Sequence, residues 1–158
     1  MSDPASPQSS QWLLENFVTE VPGVTHALLA STDGMRIAQV NLTDDESDKT
    51  AATLAAIQGL AKGLGGALGI GSGSGVKQVM AECETFSVFL MLVGRGLPGE
   101  LSPALGANPS LVATCLGVVT EPGADLGHIA YSASLLNASL ARHLTTAVRA
   151  TGTAVAGR

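Results

Sequence analysis

A long segment rich in alanine and glycine, residues 44–68, restricts how this chain can fold. At helical spacing it carries one stripe of mostly large aliphatic side chains and a second stripe of small residues only. The first stripe contains Leu54, Ile57, Ala61, Leu64 and Leu68, and the second contains Ala52, Ala56, Gly59, Gly63 and Gly66. Each glycine inside a helix costs about 0.5–1 kcal/mol relative to alanine, so three of them on one face require close packing in return. We therefore expect this helix to be covered on two sides, by the sheet of its own chain and by a partner chain.

Acidic residues cluster where this helix is predicted to begin. Thr43 and Glu46 have the spacing of a capping box, in which each side chain bonds to the other residue's backbone N–H. Asp44, Asp45 and Asp48 lie where the helix dipole favours negative charge. Contiguous acids in a first turn point to different sides of the helix, and no histidine accompanies them. The cluster therefore indicates a helix start rather than a metal site.

The rest of the chain shows alternating strand and helix patterns. Strands are predicted over 24–31, 35–40, 76–84, 86–93 and 111–120, with further helices at each end of the domain. Ser6 and Pro7 predict the start of the first helix, with Ser6 as its cap and Pro7 as its first residue. Asp125 is predicted to cap the last helix. Asp33 and Gly34 predict a primed hairpin turn with positive φ at both residues.

These elements define the fold class. The order is α-β-β-α-β-β-β-α, and strands joined by short turns must be antiparallel. Residues 86–93 are apolar on both faces, which predicts a central strand covered on both sides. We therefore expect an α+β fold, a three-layer α/β/α sandwich with a five-stranded antiparallel sheet and the two terminal helices sharing one face. One domain over 6–149 is predicted, with flexible tails at 1–5 and 150–158.

Composition excludes several classes of partner. The chain has 158 residues, 13% of them charged, and a net charge of −5. It has no basic patch to bind nucleic acid or an anionic membrane surface. Its N-terminus lacks the features of a signal peptide, and no uncharged apolar run is long enough to insert into a membrane. We expect a cytoplasmic protein, with membrane recruitment through partners as the alternative.

No constellation of residues predicts catalysis. Residues 94–99 spell G-x-G-x-x-G, but prolines follow and no helix opens there to receive a pyrophosphate. The glycine-rich run 63–75 follows a helix and contains no Gly-Lys pair, so it is not a Walker A loop. The three histidines have no metal-ligand spacing, and Cys83 and Cys115 are expected to be small buried hydrophobes. The residues alone predict a dimeric interaction module without catalytic residues, cofactor or metal.

Two motifs resemble a known family. V-P-G-V-x-x-A-L-L-x-S-x-D-G covers residues 21–34, and A-D-L-G-x-x-A-Y covers residues 124–131. Together with the second helix and the VKQVMAECE strand, they resemble the roadblock (dynein light chain) family in its actinobacterial version. The fold implied is roadblock-like, related to profilin. Residues 94–111 depart from the pattern, because they form a longer link between the last two strands than is usual.

This resemblance implies a homodimer and a class of partner. The third strand would pair with its copy to make a continuous sheet, and the second helices would lie side by side. The implied interface residues are Ala52, Ala56, Gly59, Gly63, Gly66, Val76, Gln78, Met80 and Glu82. The implied function is a non-enzymatic regulator or platform for a small Ras-like GTPase, with a histidine-kinase-like sensor as a further partner.

Candidate GTPase contacts are Asp48, Lys49 and Arg95. Of the arginines, Arg95 is the candidate arginine finger, whereas Arg36 and Arg142 are expected to be ordinary surface charges. Two alternatives stay open. One is an adaptor that tethers the sensor kinase, and the other is a small-molecule sensor, which the close packing expected of the second helix disfavours.

Overall fold

The computed structural model describes residues 9–70, 76–95 and 113–155, with the backbone alone for residue 95 and residues 144–155. Three helices and five strands follow the predicted order. They are α1 (Ser10–Glu20), β1 (Val24–Ser31), β2 (Arg36–Val40), α2 (Asp44–Ala67), β3 (Gln78–Glu82), β4 (Ser87–Arg95), β5 (Ala113–Thr120) and α3 (Leu126–Val155).

The five strands form one antiparallel sheet in the order β2-β1-β5-β4-β3. One face packs against α1 and α3, and the other packs against α2. Two neighbouring residues of β4 are buried on opposite faces of the sheet. Phe89 is buried on the side of α1 and α3, and Leu90 is buried on the side of α2. The predicted three-layer sandwich is confirmed, as is the coverage of this strand on both faces. β5 occupies the centre of the sheet.

The caps of α2 and α3 agree with the sequence. Thr43 accepts a bond from the Glu46 N–H at 3.3 Å, and the Glu46 carboxylate accepts one from the Thr43 N–H at 2.8 Å. The bond from the Thr43 backbone N–H to the Glu46 carboxylate is the main cause that holds the pKa of Glu46 below its ordinary value. Asp125 accepts from the His128 N–H at 3.0 Å. The predicted capping box and the predicted cap of α3 are therefore confirmed.

The start of α1 and the end of α3 differ from prediction. α1 is capped by Ser9, whose hydroxyl accepts from the Trp12 N–H at 3.1 Å, and not by Ser6. Ser6, Pro7 and the predicted tail at 1–5 lie outside the described residues. α3 continues to Val155, so residues 150–155 are helical rather than part of a tail. A single glycine in that stretch weakens a helix by about 1 kcal/mol and does not end it.

The hairpin between β1 and β2 has a different turn from the one predicted. Gly34 has a φ of +92°, but Asp33 does not have a positive φ, so the turn is not primed. The Gly34 N–H bonds to the Ser31 carbonyl at 3.0 Å, and the Ser31 hydroxyl accepts from the Met35 N–H at 3.1 Å. This is a three-residue loop that ends in a left-handed glycine, and β2 begins one residue later than predicted, at Arg36.

Candidate interaction surface

α2 is longer than the sheet on which it lies. Its 24 residues extend about 36 Å. Five strands span only about 19 Å across the sheet, and the longest strand, of nine residues, is about 30 Å long. The first half of α2 is packed, with Ser47, Ala51 and Leu54 buried. In the second half the exposed fractions are 60% for Leu64 and 62% for Leu68. The large stripe therefore packs against the sheet in its first half only.

The small-residue stripe of α2 faces away from the sheet. A Cβ placed on Gly59, Gly63 or Gly66 would meet no atom within 4 Å. Ala52 and Ala56 are exposed as well. The close packing that these residues predict is thus not made within the described part of the chain.

The close approach between α2 and the sheet depends on a different glycine. A Cβ on Gly117 of β5 would lie 2.5 Å from Leu54 Cδ1, well inside van der Waals contact. Leu54 is only 2% exposed. The bare backbone of Gly117 therefore provides the space that this leucine fills.

β3 forms one edge of the sheet, and its outer side is paired with no strand among the described residues. On its inner side the Lys77 carbonyl accepts from the Leu92 N–H at 3.0 Å, and the Cys83 N–H donates to the Phe86 carbonyl at 2.8 Å. Residues in an antiparallel pair alternate between bonding inward and pointing outward. The N–H and C=O groups of every second residue therefore point out of the sheet; these residues are Gln78, Met80 and Glu82. Val76, the remaining predicted interface residue of this segment, lies just before the strand.

The side chains of β3 alternate as predicted. Val79 packs beside α2, whereas Met80, opposite Phe89, is 52% exposed on the other face. The predicted interface residues of β3 and of α2 therefore do not share one face.

The helix and the strand that carry the two predicted groups contact each other. α2 begins beside β2, where Ala52 lies close to Gly34, and it also contacts β1 and β3. The helix thus crosses the sheet towards the β3 edge. The open face of α2 and the open edge of β3 are neighbouring surfaces.

Charged residues at the start of α2 are already paired. Arg36 is bonded to Asp44 and lies 2.9 Å from Asp48. The bond to Arg36 lowers the pKa of Asp44, and the same bond raises the pKa of Arg36. Lys49 lies 2.6 Å from Asp45. Two of the predicted GTPase contacts, Asp48 and Lys49, are therefore exposed but ion-paired within the chain.

Of the other two arginines considered as fingers, Arg95 ends β4 and Arg142 lies in α3. The side chain of Arg95, the third predicted contact, lies outside the described residues. Arg142 donates to the Ser139 hydroxyl at 3.2 Å. Arg36 is a surface residue of β2, as the sequence predicts, and it is paired with two carboxylates.

The two cysteines occupy different environments. Cys115 is buried, and burial raises its pKa to about 11. Cys83 is exposed, so the prediction that both thiols are buried is wrong for this residue. It follows Glu82, the last residue of β3, at the hairpin to β4.

Neither a metal centre nor a membrane-spanning helix is found in residues 9–70, 76–95 and 113–155. No group of three His, Cys, Asp or Glu side chains there is placed to hold a metal ion. A cavity of about 220 Å³, including its opening, lies between α2 and the sheet and contacts His26, Leu42 and Leu54. None of the described helices is long and apolar enough to cross a membrane.

A profile of the Roadblock/LC7 domain matches residues 10–97, more than half of the chain. The chain belongs to the Roadblock/LC7 domain family. This match confirms the resemblance inferred from the motifs, and it includes both α2 and β3. No curated protein sequence matches the chain.

Solved structures share the fold of this Roadblock/LC7 domain. A Roadblock/LC7 domain from Streptomyces avermitilis is 27% identical, with a TM-score of 0.68 over 85% of this chain and 97% of that one. MglB in a tetrameric arrangement is 18% identical, with a TM-score of 0.66 over 87% and 89%. The gliding protein MglB of Thermus thermophilus is 17% identical, with a TM-score of 0.64 over the same shares, 87% and 89%.

Sequence reasoning missed two residues of this Roadblock/LC7 domain. Leu60, the most exposed large hydrophobic side chain among the described residues, lies between the two stripes of α2 and belongs to neither. Its apolar character beside the small-residue stripe was the available signal. Gly117 gave no signal, because its contact with Leu54 joins residues far apart in the chain.

Proposed function

We propose that this Roadblock/LC7 domain is a non-enzymatic homodimeric regulator or platform for a small Ras-like GTPase in a bacterial signalling system. The observation that supports the proposal is an open strand edge, β3, beside an open helix face lined with glycine. An unpaired edge is a template for another strand, and a glycine-lined helix face admits another backbone at close range. A second copy of the chain supplies both the pairing strand and the closely packed helix.

A two-fold axis at Met80 satisfies the outward groups of β3. Gln78 of one copy then faces Glu82 of the other, and the two Met80 residues exchange backbone bonds, because an isologous interface uses the same patch twice. Each such bond contributes a net ~0.5–1.5 kcal/mol. The larger gain comes from apolar side chains, since Leu60 and Leu64 are more than half exposed in the protomer.

The GTPase assignment follows from family membership and from the surface a dimer would form. Two α2 helices side by side would create one broad apolar face, with ion-paired Asp48 and Lys49 near the start of each helix. Arg36 would have to leave two carboxylates before reaching into a nucleotide site. We therefore propose a role in binding and positioning the GTPase, without an arginine finger from this residue. Arg95 remains the candidate finger.

Light-scattering mass, measured with and without the candidate GTPase, tests this function. The chain alone should give a dimer, twice 15.9 kDa. Mass should increase with the GTPase in only one of its two nucleotide states, and the rate of GTP hydrolysis should change at stoichiometric protein. No complex and an unchanged rate would refute the GTPase role. Binding of the sensor kinase alone would favour the adaptor.

The small-molecule sensor receives less support from the structure. Ligand pockets commonly measure about 300–1,000 Å³, whereas the enclosed space of the cavity beneath α2 holds about one water molecule. Mass spectrometry of the native protein should therefore find no stoichiometric bound metabolite. A compound that copurifies with the protein would revive this alternative.

A further inference from the structure

At the β2 edge, unlike at β3, the described part of the chain has a side chain bonded to the outward backbone groups of one strand residue. At β2, the side chain of Gln11 reaches the edge from α1. Its Nε2 donates to the Gln39 carbonyl at 2.9 Å, and its Oε1 accepts from the Gln39 N–H at 3.3 Å. A side-chain amide carries one acceptor and a two-hydrogen donor, so it reproduces the pair of bonds that a neighbouring strand would make. Both outward groups of Gln39 are therefore occupied.

The Gln11 amide is fixed in this orientation. Its Nε2 also donates to the Glu15 carboxylate at 2.8 Å, one helical turn along α1. A carboxylate only accepts, so the nitrogen must face Glu15 and the oxygen must face the Gln39 N–H. α1 itself is anchored by Leu14 and Phe17, both buried in the core.

Side chains also hold the chain where it leaves β2. Asn41 donates to the Thr25 carbonyl at 2.8 Å, and the Gln39 side chain accepts from the Leu42 N–H at 3.2 Å. The chain leaves β2 through residues whose side chains hold the backbone in place. At β3, by contrast, the outward groups face away from every described strand.

We propose that Gln11 closes the β2 edge to strand addition by a second copy of this chain, so that assembly through the sheet is confined to β3. A strand docking on β2 needs the N–H and C=O of Gln39, near the end of a five-residue strand, and Gln11 occupies both. A protomer with two open edges could pair at each of them and grow into an open-ended ribbon. Closing one edge makes the assembly finite. The finite size expected here rests on the proposed β3 dimer.

The Gln11→Ala variant tests this role, with Thr19→Ala as the matched control. Thr19 lies exposed on the same helix, and its hydroxyl bonds within α1 rather than to β2. Gln11→Ala should raise the exchange rate of the Gln39 amide by about tenfold and should give a mass that grows with concentration beyond that of the wild type. Thr19→Ala should change neither. Gln11→Met keeps the side-chain length without its hydrogen bonds. If the alanine variant does not fold, the exchange rate of the Gln39 amide is measured in this variant instead.

The results of these experiments distinguish failure of the Gln11 proposal from failure of the proposed β3 dimer. Unchanged exchange at Gln39 would overturn the proposal, and so would faster exchange without growth. If the wild type is a monomer, the β3 dimer fails, yet a monomer that becomes a dimer on Gln11→Ala would still support edge closure. In the Gln11→Ala, Met80→Pro double variant, growth should stop at the dimer, because only β2 remains open. Growth beyond the dimer in that variant would overturn the assignment to β2.

Discussion

Replacing Gly63 by leucine separates the stability of the protomer from the stability of its assembly. In the protomer, a side chain at this position enters open space, since a Cβ there meets no atom within 4 Å. Leucine is a far better helix former than glycine. The substitution should therefore stabilise the folded protomer by about 0.5–1 kcal/mol, which raises the melting temperature by about 1–4 °C for a domain of this size.

The effect on the proposed dimer has the opposite sign. Overfilling a close contact costs about 1–3 kcal/mol per added side chain, and a symmetric dimer contains the substitution twice. The expected loss is about 2–6 kcal/mol of association free energy. Because about 1.4 kcal/mol changes an equilibrium constant tenfold, the dimer dissociation constant should rise at least about thirtyfold.

Two measurements on the same samples check this pair of effects. Sedimentation equilibrium gives the dissociation constant, and thermal unfolding at a concentration where the variant is monomeric gives protomer stability. Lys62→Leu is the matched control, because Lys62 is exposed and lies about 100° around the helix from Gly63. An unchanged dissociation constant for Gly63→Leu, with a normal fold, would refute the role of the small-residue stripe in assembly.

Three further predictions follow from the sheet and the thiols. Met80→Pro removes an outward N–H of β3 and should give a folded monomer. Ala81→Pro removes an inward bond to β4 and should destabilise the protomer by about 1–3 kcal/mol. Equal unfolding midpoints for the two variants would contradict the assignment of the outer side of β3. Gly117→Ala should lower the free energy of unfolding by about 1–3 kcal/mol in chemical denaturation, and a neutral result would mean that the α2 contact yields easily. Iodoacetamide at neutral pH should modify only Cys83 in the native protein, because Cys115 is buried and its pKa is raised to about 11. Intact-mass spectra that show rapid modification of both thiols would contradict the packing of β5.

Local patterns were sufficient to predict the elements of the fold. The capping box at Thr43 and the alternation of β3 depend on residues within a few positions of each other, so the sequence displays them directly. The start of α1 was not predictable in the same way. Ser6 and Ser9 are both able to cap, and the choice between them depends on how Leu14 and Phe17 enter the core.

The candidate surface was predicted in part. The small-residue stripe identified the face of α2 that lacks a neighbour within the described part of the chain, but composition alone could not say where the sheet ends beneath the helix. The contact between Leu54 and Gly117, and the bonds between Gln11 and Gln39, join residues that are distant in sequence. Such pairs are determined by strand order and helix placement, which periodicity does not report.

The three-layer arrangement has a consequence for how many partners one dimer could hold at once. In the proposed dimer, α2 of each copy lies on one side of a continuous sheet, and α1 and α3 lie on the other. The ten strands would act as a partition, so a protein bound to the α2 side would not touch a protein bound to the opposite side. A GTPase and a sensor could then occupy the same dimer without competing for space, and the order in which they arrive would not matter.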